Sequence, residues 1–168
     1  RTLPAVIGVL IALLAYDKVL VEFMHTRRQD ALVGQFNAQA TASTIEFGDA
    51  IAILQIPSIG VNVVVGEGES LSTLRAGPAH RLTSAMPGTT GNAVISGKRS
   101  RYGAPFAELD QLQPGAEIYV KTRAGVPVRY VVEDVTTGSL DDDAVRPSDD
   151  GRLTLLTSAT RFGRDVVV

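Results

Sequence analysis

Residues 51–68 read IAILQIPSIGVNVVVGEG. Ile51-Ala-Ile-Leu-Gln-Ile56 and Val61-Asn-Val-Val-Val65 are rich in β-branched side chains, with Pro57 after the first run and Gly66 and Gly68 after the second. Short runs of this kind, bounded by turn residues, predict strands. The same grammar extends outward through Asn92–Ser96, Glu117–Lys121, Val128–Val135, Leu153–Thr157 and the terminal Val166–Val168. Only Ser70–Arg75 and Pro105–Leu112 suggest short helices, and no internal repeat is visible. Seven or eight short strands predict an antiparallel barrel or sandwich. The expected fold class is therefore mostly β, an antiparallel barrel of about eight strands over residues 51–168.

Composition narrows the chemistry. The chain has 168 residues, 45% of them hydrophobic and 20% charged, as expected of a folded domain with one sizeable core. Sixteen basic against 18 acidic residues give a net charge of −2, without the basic excess of a nucleic-acid binder. Cysteine is absent, so disulfides, thiolate metal sites and cysteine nucleophiles are excluded together. With only His25 and His80, a histidine-rich metal site is excluded too, and no cofactor is expected. Asp141-Asp-Asp lacks the spaced ligands of a calcium loop and reads as a solvated turn.

Before the barrel, Leu3 to Tyr16 reads LPAVIGVLIALLAY, uncharged on every face. At 1.5 Å per residue this is roughly 21 Å of helix, against a hydrocarbon core of about 30 Å. Either the span begins upstream of residue 1, or it continues through Asp17-Lys18 towards Met24. The favoured reading starts near Leu3, with Arg1 as a basic cytoplasmic flank, and leaves the bilayer between Tyr16 and Met24. A signal peptide is the weaker alternative, because no small-residue cleavage site follows Tyr16. The expected organisation is a transmembrane anchor over 1–24, a juxtamembrane helix fading into a linker over 25–50, and a barrel over 51–168. That places a single-pass protein in the plasma membrane with its barrel extracytoplasmic. Arg27 and Arg28 read as a solvated flank within reach of headgroups. Asp17 and Lys18, near the outer end of the span, are candidates for contact with a membrane partner or have already left the bilayer.

Several blocks, in order, resemble the sortase family, the membrane-anchored cysteine transpeptidases of Gram-positive bacteria. They are Ile53-Leu-Gln-Ile-Pro-Ser-Ile-Gly-Val61, Gly77-Pro-Ala-His80, Met86-Pro-Gly-Thr-Thr-Gly-Asn-Ala-Val-Ile-Ser-Gly97, Tyr102 to Ile118 and Leu153-Thr-Leu-Leu-Thr157. The style is that of the actinobacterial, class E-like members. The resemblance implies a sortase-like barrel in which one strand leads to a catalytic histidine and another delivers a cysteine.

At those positions the chain departs from the family. Lys98 stands where the histidine follows the Ile-Ser-Gly run, and Ser158 stands where the cysteine follows the Thr-Leu-x-Thr run. Arg164, just before the final strand, is the best candidate for the family's arginine, with Arg161 the alternative. A serine hydroxyl stays protonated at neutral pH unless a base removes its proton, and a lysine ammonium, with a pKa near ~10.4 in water, is a poor acid–base catalyst at pH 7. The expected site, Lys98, Ser158 and Arg164, is a degenerate one.

The leading expectation is a sortase-like pseudoenzyme that binds an extended peptide or acts as an assembly subunit for a membrane or cell-envelope protein. The alternative is an active transpeptidase or hydrolase of sorting-signal peptides, with a Ser158–Lys98 dyad and Arg164 on the oxyanion. His80, in its Gly-Pro-Ala-His turn, is expected to hydrogen-bond the backbone and not to replace the lost imidazole.

Overall fold

In the strand Ala50–Ile56 (β1), Ala52, Leu54 and Ile56 are fully buried while Gln55 between them is exposed, as the two-residue period of a strand requires. A 3-10 turn at Pro57–Ile59, closed by Gly60 at φ 66°, returns the chain into Val61–Glu67 (β2), which pairs antiparallel with β1. The computed structural model describes residues 7, 16, 24–38, 44–123, 125–138, 145–158 and 165–167. Within them follow Ala79–His80 (β3), Gly91–Ser96 (β4), Glu117–Thr122 (β5), Pro127–Val131 (β6), Thr136–Gly138 (β7), Gly151–Ser158 (β8) and Asp165–Val167 (β9). The nine strands form one sheet in the order β6-β5-β1-β2-β3-β4-β8-β9-β7.

The sheet curls into a nearly closed barrel, because strands far apart in that order share one core. Ile118 of β5, Leu54 of β1, Ile95 of β4 and Leu155 of β8 all belong to it, together with Phe106 and Leu109 from the loop between β4 and β5. Phe106 is fully buried. Burying a phenylalanine side chain contributes about 1.5–3 kcal/mol. Across the seam, the Gly88 amide donates to the Tyr130 hydroxyl at 2.7 Å.

Three expectations need correction. The sheet is mixed: β2 pairs with β3, and β4 with β8, in parallel. Parallel neighbours need crossover connections, supplied here by residues 68–78 and by the long excursion between β4 and β8. Pro105–Leu112 is no helix beyond a 3-10 turn at Leu109–Gln111, since its apolar side chains plug the core from a loop. The strand expected over Val128–Val135 ends at Val131, and β3 and β7 are too short to show a pattern. The other helix is present as Leu71–Ala76 (α2). Its N-terminus is capped by Ser70, whose hydroxyl oxygen accepts from the Thr73 amide at 3.0 Å.

Residues 24–38 form a helix, α1, on the outer face of β1 and β2. Phe36 packs with Ala50 and Val64. The Gln29 side chain accepts from the Val64 amide at 2.9 Å and donates to the Ala76 carbonyl, while Gln35 donates to Asp49 at 3.1 Å. Among the described residues no helix is long and apolar enough to cross a membrane. The anchor expected over 1–24 lies outside the described residues except Ile7, Tyr16 and Met24, as do Asp17, Lys18 and Asp141-Asp-Asp.

Candidate functional site

β4 and β8 run side by side in parallel, from Gly91 opposite Gly151 to Ser96 opposite Leu156. Ala93, Val94, Ile95, Leu155 and Leu156 are buried along this pair, the near-continuous apolar pattern of strands covered on both faces. Buried polar contacts set its register. The Thr154 hydroxyl donates to the Asn92 side-chain oxygen at 2.8 Å, and the Asn92 amide donates to the Arg146 carbonyl at 3.0 Å. Beyond Ser96, the Gly97 amide donates to the Leu156 carbonyl at 2.9 Å, and the Thr157 hydroxyl donates to the Gly97 carbonyl at 2.9 Å.

The next residues are Lys98 and Ser158. The pairing thus carries the two sequence-expected positions to the same end of adjacent strands. Lys98 is half-buried, and its carbonyl accepts from the Phe106 amide at 3.1 Å. Gly97 is needed here for closeness: a Cβ on it would stand 2.3 Å from the Phe106 ring. Ser158 closes β8 and pairs with Asp165 of β9. Arg161 and Arg164 lie outside the described residues.

The loop that leaves Lys98 turns sharply, with Tyr102, Gly103 and Ala104 at φ 57°, 73° and 42°. Left-handed Tyr and Ala are unfavourable and persist only where surroundings hold them. Here Arg75 lies over the Tyr102 ring at 5.8 Å, and buried His25 of α1 packs on Gly103, where a Cβ would meet its ring at 2.2 Å. Arg99 pairs with Asp110 at 2.7 Å. The hydrogen bond from Arg99 holds the Asp110 carboxyl below its ordinary pKa.

His80 is committed elsewhere. It pairs with Ile95 in register, three residues before Lys98, and its ring is buried. Nδ1 lies 3.0 Å from both Glu67 carboxylate oxygens. Nε2 lies 2.8 Å from the Ala85 carbonyl and 3.0 Å from the Ser84 hydroxyl, whose own proton goes to the Arg81 carbonyl. With acceptors at both nitrogens, the geometry favours the imidazolium. Desolvation pulls the His80 pKa down, but the hydrogen bonds to Glu67 and Ala85 and the charges of Glu67 and Glu69 outweigh it and hold it above the ordinary value. The backbone bond was legible in the Gly-Pro-Ala-His turn. The Glu67 partner was not, because a parallel pairing brings it there.

Between β6 and β8 the described residues leave a cleft of about 570 Å³, lined by Tyr130, Val132, Asp134, Gly151, Leu153 and Thr154 among others. Among the described residues no group of three His, Asp or Glu side chains could hold a metal ion.

Residues 54–167 match the sortase domain. The chain belongs to the sortase family. It is class E-like: sortase SrtE1 of Streptomyces coelicolor is 33% identical over 94 residues, covering 52% of this chain. This sortase-family chain spans only 27% of the length of that relative. The Clostridium perfringens sortase D5 transpeptidase is similar with a TM-score of 0.73 at 29% identity, over 88% of this chain and 95% of that one. A variant of sortase E from Streptomyces avermitilis is similar with a TM-score of 0.64 at 28% identity, over 73% of this chain and 87% of that one.

Proposed function

We propose that this sortase-family chain is a pseudoenzyme, anchored in the plasma membrane with its barrel outside, that binds or helps assemble a membrane or cell-envelope protein. The observation that carries the proposal is the pair of residues at the ends of β4 and β8. The positions that resemble the family's histidine and cysteine hold Lys98 and Ser158. The family reaction needs a thiolate to attack a peptide carbonyl, an imidazole to carry the leaving amine's proton, and an arginine on the oxyanion. With a serine and a lysine in the first two places, nucleophile and proton carrier are weakened together. The remaining capacity is contact, since a barrel and its groove recognise an extended peptide without a nucleophile.

The test is incubation of the full chain with a sorting-signal peptide, followed by mass spectrometry. No acyl adduct on Ser158 is expected, and proteins of the host membrane should co-purify with the chain in mild detergent. An adduct on Ser158 that vanishes in Lys98→Ala would overturn the proposal in favour of a Ser–Lys dyad. Recovery of the chain alone, unchanged by Asp17→Leu, would count against the assembly role.

A further inference from the structure

The direction of α1 says which end of the barrel faces the start of the chain. Its C-terminal half lies beside Asp49 and Ala50, through Gln35 and Phe36. Gln29 reaches Val64 and Ala76, further towards the Lys98 end, and His25 is buried against Gly103 in the loop that leaves Lys98. α1 therefore begins at the Lys98 end, and the uncharged stretch Leu3–Tyr16 precedes it by only a few residues.

Basic side chains gather on one side of that same end. α1, the last turn of α2 and the loop after β4 bring Arg27, Arg28, Arg75, Lys98, Arg99 and Arg101 there. The same segments carry three carboxylates, Asp30, Glu108 and Asp110, the last paired with Arg99. Arg27, Arg75 and Arg101 are exposed. The register of β5 and β6 also brings Glu117, paired with Arg129, and Glu133 to this end, so the basic surplus lies on the side formed by α1, α2 and the loop after β4.

We propose that the Lys98 end of the barrel is turned to the bilayer and that its basic side chains meet anionic phospholipid headgroups. The inference rests on the reading of residues 1–24 as a membrane anchor. Given that anchor, the burial of His25 on Gly103 leaves little chain between the bilayer and the loop after β4. Cations beside an anionic surface are attracted over about a Debye length, roughly 10 Å at 0.1 M salt.

The absence of cysteine makes single-label experiments clean. The full chain carries a fluorophore at Ser100→Cys, in the exposed loop after Lys98, or at Leu82→Cys, an exposed position beyond the other side of β3. Each is reconstituted into vesicles of phosphatidylcholine alone or mixed with phosphatidylglycerol, with a quencher attached to headgroups. The expected result is several-fold stronger quenching at position 100 than at 82. It should deepen with phosphatidylglycerol and diminish with added salt and in Arg75→Gln/Arg101→Gln. Equal quenching at the two positions, or stronger quenching at 82, in protein that floats with the vesicles overturns the orientation while leaving the anchor intact. Quenching at 100 that ignores phosphatidylglycerol and salt overturns the headgroup contact. A chain that does not float with vesicles of either composition removes the anchor, and the inference with it.

Discussion

The hydroxyl of Thr157 donates to the carbonyl of Gly97 at 2.9 Å, one residue before Ser158 on β8 and one residue before Lys98 at the exit of β4. The bond is buried and tethers the two strand ends whose next residues define the candidate site. Thr157→Val keeps the side-chain volume but leaves that carbonyl without the hydroxyl. A loss of about 1–3 kcal/mol is expected. Urea denaturation should show a lower midpoint at an unchanged slope, and an unchanged midpoint would refute the tether.

Gly97→Ala forces a methyl group to within 2.3 Å of the Phe106 ring, at a residue whose side chain fills the core. Overpacking of this kind typically destabilises by about 1–3 kcal/mol. Phe106→Leu should relieve part of the clash, so the double variant is expected to lose less than the sum of the two single losses. Strict additivity in a double-mutant cycle would contradict the packing described.

The His80–Glu67 pair makes stability depend on pH. The folded-state pKa of His80 lies above its unfolded value of about 6.5, so folding is favoured by proton binding. The contribution is complete below about 6.5 and is lost as pH rises through the elevated folded-state value. Denaturation midpoints should therefore fall as pH rises from about 6.5 through that elevated folded-state value, and His80→Gln should flatten the slope while lowering stability at the acid end. A wild-type slope retained in His80→Gln would assign the dependence to other groups.

Gln29→Ala removes the acceptor of the Val64 amide and a donor to the Ala76 carbonyl. A destabilisation of about 1–3 kcal/mol is expected from leaving these partly buried groups unpaired. Amide hydrogen exchange should accelerate at Val64 and along α1 before it accelerates in β4 and β8. Uniform acceleration throughout the barrel would mean that α1 does not open separately.

Much of this protein is written in local sequence. The β-branched runs at Ile51–Ile56, Asn92–Ser96 and Leu153–Thr157 are strands because their side chains suit a buried, pleated surface. Ser70 marks a helix start because its hydroxyl reaches an amide three residues on. Lysine at 98 and serine at 158 are visible without any structure. Tertiary structure decided what depends on partners remote in the chain. The parallel pairing of β4 with β8 joins segments 60 residues apart and sets Lys98 and Ser158 at one end of the sheet. Glu67 becomes the partner of His80 only when β2 and β3 lie side by side, and Gln29 looks like any polar helix residue until it meets Val64. Periodicity records which face of an element is buried. It carries no information about which buried polar group will lie opposite, because that is settled by strand order and register once the chain has closed on itself.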